Sequence, residues 1–428
     1  MEDIRFVRSE MVAERRPPAA QTGAIGWLHQ NLFSSLLNTV LTVLSLAAIV
    51  WILSRAIPWV MSPTWQGTSL TNCREILDGA TGACWGVIRE RWRQLLFGFY
   101  PSDLYWRPVL DFVLMLVALA PVLFTRLPRQ LLFFSALYPF LMPWLLWGGT
   151  IWVSVVALAG FAFGYGAYRL ARPFAGTIAA TVLAVAVPIL WWLFLAGPVA
   201  ARMETIAPLG IAPVTSRAFG GFMLSITIGV VAIAVSLPIG ILLALGRRSN
   251  LVIVHALSVG FIEFIRGVPL ITLLFVASTL LNIFMPPGTN FDIILRVIIM
   301  VTLFASAYMA EVIRGGLAAL PNGQYEAADA LGLDFWLAQR LVIMPQALKI
   351  SIPGIVSTFI GVFKDTTLVS IIGLLDPLGL TKAITADANW NGIVWEIYGF
   401  IALMFFIFCF SMSRYSMYLE RRLRTGHR

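Results

Sequence analysis

The sequence predicts an all-α membrane protein with about ten transmembrane helices. Hydrophobic residues make up 59% of the 428 residues, charged residues only 12%, and the mean hydropathy is +0.86. A soluble globular domain carries about 25% charged residues. Apolar runs long enough to cross the hydrocarbon core recur from residue 32 to residue 413. The chain is therefore expected to cross the membrane repeatedly.

Ten apolar runs account for this expectation, and each is predicted to be one membrane helix. The fourth run is the weakest, because Gly160, Gly164 and Gly166 lower its helix propensity. The ten runs cover residues 32–54, 109–125, 131–147, 150–168, 175–196, 220–246, 252–282, 292–314, 350–372 and 393–413.

The domain limits are predicted from the same pattern. Residues 1–31 form a cytoplasmic tail ahead of a retained signal anchor, because no small-residue cleavage site ends the first apolar run. A five-span extension is expected at 32–200, with a long periplasmic loop at 55–108. A proline-containing linker leads into the five C-terminal spans at 215–415, and residues 416–428 form a basic cytoplasmic tail.

The positive charges predict the orientation of the spans. If the N-terminus faces the cytoplasm, the cytoplasmic segments hold eighteen Lys and Arg residues and the outside segments hold nine. Six of those nine lie in the loop at 55–108, and long loops count for less in the positive-inside rule. Both termini are therefore expected on the cytoplasmic side.

The composition also argues against several classes of function. The net charge is +9, but the arginines are spread between apolar spans, so the expected partner is membrane lipid and not nucleic acid. The cysteines and histidines are too few and too scattered to predict a metal site or a catalytic constellation. They are Cys73, Cys84, Cys409, His29, His255 and His427.

Two of the cysteines lie together in the 55–108 loop. Ten residues separate Cys73 from Cys84. Thiols oxidise in the bacterial periplasm, so a small disulfide-closed loop is predicted, and two buried free thiols are the alternative. Residues 85–97 then mix aromatic, basic and apolar side chains at near-helical spacing, which is typical of a helix that lies along the membrane surface.

A polar stretch at residues 325–332 interrupts the apolar C-terminal half. Residues 326–331 are good helix formers, and Gly332 can adopt the positive φ that ends a helix. A second helical run from Phe335 is expected to stop against Pro345. Two short helices that meet at a glycine would form a compact projection between two membrane spans.

With Gly332 four residues after Ala328 and Pro345 thirteen after Gly332, this stretch resembles the EAA loop of ABC importer permeases. Val342 and Met344 stand where Ile and Leu are usual in that family, and these are mild changes for an apolar anchor. The resemblance implies a cytoplasmic coupling helix that sits in a groove of a separate ATPase subunit. The coupling residues that it implies are Glu326, Ala327, Ala328, Asp329, Gly332 and Pro345.

Two further stretches resemble signatures of the polar amino-acid branch of this family. Residues 263–270, EFIRGVPL, are similar to FRGTPLL with Val268 in place of Thr, and residues 364–368, KDTTL, are similar to KDTSL with Thr367 in place of Ser. The resemblance covers about half of the chain. It implies a type I ABC permease core in the larger permease subunit of a general L-amino-acid importer, located in the bacterial inner membrane.

The resemblance also implies partners. An importer of this type contains two permeases, an ATPase dimer that binds ATP and magnesium, and a periplasmic amino-acid-binding protein. A related second permease is expected, with a homodimer as the alternative. This chain has no Gly-x-x-x-x-Gly-Lys-Ser/Thr phosphate loop, so it is not expected to be an enzyme or to hold a cofactor itself.

Charged residues inside spans are candidates for the substrate pathway. A zwitterionic amino acid needs a cation, an anion and small hydroxyls, and Lys364, Asp365, Thr366 and Thr367 supply them in the ninth span. In the alternative, Lys364 and Asp365 only lock this span to its neighbours.

Other intramembrane charges have competing interpretations. Glu263 and Arg266 are three residues apart on one helical face, so they either line the pathway or pair with each other. Arg296, Glu311 and Arg314 lie near predicted helix ends, where long side chains reach the interface, and a structural role is favoured.

Two other classes of function are alternatives to the importer. A secondary transporter without an ATPase would leave the 325–345 stretch without a role and should show repeated halves, which the sequence lacks. A membrane-embedded enzyme would use Asp365 and Glu263 as acid and base, but no activated nucleophile or metal cluster accompanies them.

Overall fold

The computed structural model describes residues 23–124, 126–280, 283 and 292–423. Over these residues the protein is almost entirely helical, which confirms the predicted fold class. Most of the predicted N-terminal tail, including Arg5, Arg8, Arg15 and Arg16, and the last five residues of the C-terminal tail lie outside them. The α-helices are α1 (Gly23–Asn31), α2 (Leu36–Val60), α3 (Leu70–Leu77), α4 (Gly86–Phe97), α5 (Trp106–Leu123), α6 (Leu131–Trp147), α7 (Trp152–Leu190), α8 (Ala196–Ile206), α9 (Gly221–Arg247), α10 (Val252–Gly267), α11 (Leu270–Phe275), α12 (Ile293–Ala318), α13 (Gly323–Ala330), α14 (Phe335–Ala338), α15 (Met344–Asp365), α16 (Pro377–Thr385) and α17 (Trp395–Leu423).

Shorter elements connect or extend these helices. Wider π-helical turns follow α7, α11 and α14, and a 3₁₀ turn follows α15. They span Trp191–Leu195, Val276–Leu280, Gln339–Ile343 and Thr366–Ile372. Strands β1 (Gly149–Thr150) and β2 (Gly210–Ile211) pair antiparallel.

The predicted count of ten spans is not confirmed. Within the described residues, seven helical segments are long and apolar enough to cross a membrane, and an eighth is added if the bent pair α10 and α11 counts as one span. Helix α6 has only 17 residues, which gives about 25 Å against a hydrocarbon core of about 30 Å. The predicted fourth and fifth spans fall in one helical run of 55 residues, Trp152–Ile206.

That long run folds back on itself. Its only non-helical backbone angles within α7 are those of Gly176, with φ +75°, a conformation that glycine adopts without strain. The Trp191 and Trp192 indoles donate to the Val156 and Ala157 carbonyls at 2.9 and 3.0 Å. The predicted connector at 169–174 is therefore helical, and the chain reverses at Gly176.

The two helical segments on either side of Gly176 approach each other closely at Gly164, one of the glycines that lower the predicted helix propensity. A Cβ atom at Gly164 would come within 2.6 Å of the Pro188 ring. Small residues are common where membrane helices pack closely. The glycine that weakens the predicted span therefore allows it to pack.

The predicted seventh span, 252–282, is not one straight helix. Helices α10 and α11 meet at an angle of 100°. Val268 has extended backbone angles, φ −103° and ψ 131°, because the ring of Pro269 disfavours the helical conformation of the residue before it. The bend therefore lies inside the EFIRGVPL stretch, and residues 281 and 282 of the predicted span lie outside the described residues.

By its internal contacts the chain divides into two compact units, Met1–Gly86 and Val87–Arg428. The functional limits expected at residues 200 and 215 differ from this division and stay a prediction. In the described part of the first unit, α2 has no buried residue, as expected of a helix whose surroundings are lipid.

A disulfide bond joins Cys73 and Cys84 in the first unit, with their Cα atoms 5.7 Å apart. Both side chains are buried. The hydroxyl groups of Ser62 and Thr64 donate to the carbonyl of Ala83, which holds the two ends of this small loop together. The bond therefore lies in an ordered, hydrogen-bonded loop.

The core of the second unit is built from α9, α12 and α15. Helices α9 and α12 end, and α15 begins, at the same end of the bundle. We call it the loop end, because residues 319–343 connect α12 to α15 there. At the opposite end, the Gly221 amide donates to the Leu375 carbonyl at 2.8 Å. Ser216 donates to the Asp292 carboxylate at that end.

The part of the N-terminal extension that lies in the second unit packs against this core. Tyr100, Met142 and Leu146 share a buried cluster with Leu224 and Ile228 of α9. These contacts support lateral packing as one role of the extension.

Candidate coupling loop and substrate pathway

The loop between α12 and α15 has the geometry that its sequence predicts. Helix α13 contains Glu326, and Gly332 has φ +68°. The Gly332 amide donates to the Asp329 carbonyl at 2.9 Å, and the Leu333 amide donates to the Ala328 carbonyl at 3.2 Å. Helix α14 then starts behind Asp334, whose carboxylate accepts from the Leu337 amide at 2.8 Å.

The expectation that the second helical run stops against Pro345 is wrong. The π turn Gln339–Ile343 leads directly into α15, and Pro345 lies in its first turn. A proline in a first helical turn removes no hydrogen bond that the helix needs. The loop therefore ends as the start of a rigid helix that extends toward the opposite end of the bundle.

The outer surface of the loop is both acidic and apolar. Glu326, Ala327, Asp329, Gly332 and Pro345 are exposed, and Ala328 is buried. Five large apolar side chains of the loop are also exposed, at 45–75%. They are Leu331, Phe335, Trp336, Leu337 and Leu341. An exposed apolar patch with charged residues beside it is typical of a protein-binding surface.

Two contacts fix the loop to the helices behind it. Gln346 Nε2 of α15 donates to Gln324 Oε1 at 2.8 Å. Arg248, the residue that follows α9, donates through Nη1 to the Tyr325 hydroxyl at 2.7 Å and to the Leu317 carbonyl at 3.3 Å. No site role is predicted for Arg248 or Tyr325 from the sequence, where the signal is a pair of arginines at the end of an apolar run.

Beside Arg248 lies a network of five charged residues from α9, α10 and α12. Arg247 Nη1 is 2.9 Å from Glu263 and 2.8 Å from Glu311. Glu311 also lies 3.0 Å from Arg314 and 3.7 Å from Arg266. Glu263 and Arg266 therefore each contact a charge on another helix, so the interpretation in which they neutralise each other is not the arrangement found.

Arg296 lies in the first turn of α12, near a helix end as predicted. Arg296 is only 7% exposed. Its Nη1 donates to the carbonyls of Ala277 and Ser278 at 3.3 and 2.9 Å. These carbonyls belong to the π turn Val276–Leu280, where the regular helical pattern is interrupted. Arg296 is structural, as favoured, but it is buried and does not reach the interface.

Lys364 and Asp365 end α15, and Thr366 and Thr367 begin the 3₁₀ turn that follows. Lys364 is exposed and Asp365 is half-buried. Thr366 is fully buried and its hydroxyl donates to the Phe363 carbonyl at 2.7 Å, whereas the Thr367 hydroxyl donates to the Lys364 carbonyl at 2.8 Å. In this conformation Thr366 therefore offers no hydroxyl to a ligand.

The predicted pathway residues form two groups at different levels of the bundle. Phe363 and Thr366 lie beside Gly229 of α9, about 27 Å along that helix from Arg247 at 1.5 Å per residue. Glu263 contacts Arg247 at the loop end. One ligand of amino-acid size cannot touch both groups at once.

Comparisons with known proteins agree with the motifs. Residues 236–425 match the family model of the "Binding-protein-dependent transport system inner membrane component". The glutamate/glutamine/aspartate/asparagine transport system permease protein BztC of Rhodobacter capsulatus is 59% identical over 434 residues, which cover 100% of both chains. The inner membrane amino-acid ABC transporter permease protein YhdY of Escherichia coli K12 is 42% identical over 411 residues, 94% of each chain.

One solved structure, titled as an amino acid ABC transporter with histidines, is 30% identical, covers 47% of this chain and 91% of its own, and has a TM-score of 0.42. The two full-length relatives include the N-terminal extension as well as the C-terminal core. The protein is therefore a multi-pass inner-membrane protein that belongs to the binding-protein-dependent transport system family, among the permeases of amino-acid ABC transporters.

Proposed function

We propose that this permease imports acidic amino acids and their amides: glutamate, aspartate, glutamine and asparagine. One observation carries the proposal, which is the 59% identity over 100% of the chain to a permease named for transport of these four. The match covers the whole chain, so it includes the segments that contain the candidate pathway residues. Membership of the permease family leaves the secondary-transporter alternative without support.

The proposal includes the partners of the chain. A separate ATPase dimer, which binds ATP and magnesium, docks on the loop at residues 323–345, and a periplasmic binding protein delivers the amino acid. A related second permease completes the membrane part. The exposed acidic and apolar surface of the loop supports this docking role.

The orientation belongs to the same proposal. The loop and both termini face the cytoplasm, as the excess of Lys and Arg in the corresponding segments indicates. The disulfide-bonded loop at 62–85 then faces the periplasm, an oxidising compartment.

The candidate substrate residues are Lys364, Asp365 and Thr367 at the end of α15. A carboxylate of the amino acid would pair with Lys364, and its ammonium group with the half-buried carboxylate of Asp365. Glu263 and Arg266 would then act at a second, later point of the pathway, close to the loop end. Thr366 would contribute only after a rearrangement that exposes it.

The test is ATP hydrolysis by the reconstituted complex with its binding protein. The expected result is stimulation by glutamate, glutamine, aspartate and asparagine, and little stimulation by leucine or arginine at the same concentration. Stimulation by leucine or arginine alone would overturn the substrate class. Uptake without any partner ATPase would overturn the coupling.

A further inference from the structure

The end of α9 carries two adjacent arginines that face different partners. Arg247 enters the charged network with Glu263 and Glu311, whereas Arg248 binds Tyr325 of α13. Cations at a helix C-terminus are favoured by the helix dipole. Because the two residues are consecutive, a displacement of the backbone at the end of α9 moves both of them.

The contact between Arg248 and Tyr325 has two components. Besides the 2.7 Å hydrogen bond to the hydroxyl, the guanidinium carbon lies 5.3 Å from the centre of the Tyr325 ring, a distance at which a cation is attracted to an aromatic ring. Tyr325 is partly buried and packs against the core cluster of α9, α12 and α15. It is therefore fixed on one side by the core and on the other by Arg248.

Solvent reaches this contact, since Arg248 is exposed. Exposed charged contacts contribute little to the stability of a protein. In the network beside it, Glu311 is only 16% exposed, whereas Glu263 and Arg314 are 54% and 44% exposed. A weak, accessible contact next to this network thus connects the end of α9 to the loop.

We propose that Arg248 is a positioning residue that transmits movement of α13 to α9 through Tyr325. The proposal rests on the docking of the loop with an ATPase. When the ATPase displaces α13, Tyr325 moves Arg248, and the neighbouring Arg247 changes its distance to Glu263 and Glu311. The network holds α9, α10 and α12 together at the loop end, so its rearrangement alters the opening of the pathway on that side.

Arg248 also contacts the end of α12. It donates to the Leu317 carbonyl there as well as to the Tyr325 hydroxyl. It therefore bridges α13 and the end of α12, the two elements that the connection at 319–322 joins. In this proposal, a docking force on the loop changes the distance between these two elements.

The experiment uses the complete reconstituted complex and measures amino acid transported per ATP hydrolysed. The variants are Arg248→Gln, Tyr325→Leu and the two combined. Each single change should lower the ratio about fivefold or more, the lower limit of a typical coupling between sites. The double change should lower it no further than the stronger single change, because each single change already removes both components of the contact between Arg248 and Tyr325.

The matched control is Arg172→Gln. Arg172 also lies over a tyrosine ring, 6.0 Å from the centre of Tyr168, but on α7 and away from the loop. Its ratio should equal that of the wild type. A similar loss in this control would show that any arginine–tyrosine contact lowers the ratio, which would overturn the proposal.

The outcomes separate the inference from the proposed function. If the wild-type complex shows no amino-acid-stimulated hydrolysis, the proposed function fails. If the wild type is coupled and Tyr325→Leu keeps the ratio within about twofold, below the range of a coupling contact, the role of Arg248 is wrong. Tyr325→Leu removes the hydroxyl and the ring together but keeps an apolar side chain against the core, so it decides the question even if Arg248→Gln assembles poorly.

Discussion

Arg247 of α9 lies 2.8 Å from Glu311 of α12. Glu311 also forms ion pairs with Arg266 of α10 and Arg314 of α12. This carboxylate is therefore the centre of the charged network at the loop end. Its side chain is 16% exposed, whereas that of Glu263 is 54% exposed. The two acids share Arg247 but differ in how much water surrounds them.

The first prediction compares these two acids. Glu311→Gln leaves three arginines without their common partner and should destabilise the protein by about 3 kcal/mol. Glu263→Gln should cost about 1 kcal/mol or less, because its pair with Arg247 is exposed. Thermal unfolding of the two purified variants in the same detergent measures the difference. Equal melting temperatures would contradict the central role of Glu311.

The second prediction concerns Gly332 in the proposed coupling loop. Gly332→Trp should transport poorly, because a side chain at φ +68° is strained by about 1–2 kcal/mol and the loop would change shape. No atom lies within 4 Å of the added Cβ, so the strain arises from the backbone and not from a clash. ATP hydrolysis should continue while uptake falls, as measured on the same proteoliposomes.

Gly332→Asn is the matched control for this backbone effect, because asparagine tolerates the left-handed conformation better than other side chains. This variant should keep most of its uptake. Normal transport by Gly332→Trp would contradict the proposed role of this turn in docking the ATPase.

The third prediction concerns the disulfide in the first unit. Cys73 and Cys84 should resist a thiol-reactive label until a reductant is added. Cys409 lies within α17 and is not disulfide-bonded, and it should stay unlabelled in intact membranes because lipid surrounds its helix. Mass spectrometry of labelled peptides measures all three. A labelled Cys73 in untreated membranes would contradict both the bond and the location of the loop outside the cytoplasm.

The fourth prediction tests the substrate role of α15. The double variant Lys364→Gln with Asp365→Asn removes both charges together, so no lone charge is left in the membrane. It should assemble and dock the ATPase but lose uptake or change the range of amino acids. Uptake of glutamate and glutamine at unchanged affinity would exclude these residues as a binding site, and loss of assembly would favour their role as a lock between helices.

The fifth prediction is a pH dependence at Asp376, outside the membrane-spanning helices. This side chain is fully buried and accepts from the amides of Leu378 and Gly379 at the start of α16. Burial raises the pKa of the Asp376 carboxyl from 3.8 to about 6, although these amides and Lys382 act in the opposite direction. The pKa of this carboxyl is higher in the folded protein than in the unfolded chain. Its protonation therefore stabilises the fold below about pH 4, and this stabilisation is lost as the pH rises through 6.

Hydrogen exchange of residues 377–385 should therefore be faster at pH 8 than at pH 5 after correction for the intrinsic exchange rate. Asp376→Asn keeps the cap without the charge and should remove this pH dependence. A variant with the same pH dependence as the wild type would assign the effect to another group.

Local signals in the sequence were sufficient for the fold class and for the shape of the coupling loop. The apolar composition predicted a helical membrane protein, because the backbone in lipid must satisfy its own hydrogen bonds. The helix containing Glu326 and the turn at Gly332 depend on neighbours in sequence, so propensity and glycine backbone freedom predicted both. Helix limits were less accurate: the last helix continues to Leu423, past the predicted residue 413.

The tertiary structure alone decided which charges meet. Glu263 and Arg266 are neighbours on one helix, yet each contacts a charge on another helix, and no spacing along α10 reveals those partners. The substrate candidates separated into two levels for the same reason, since distance within a bundle depends on helix direction and packing. The contact between Arg248 and Tyr325 joins residues 77 positions apart; only the packing of α9 beside α12 and the loop brings them together.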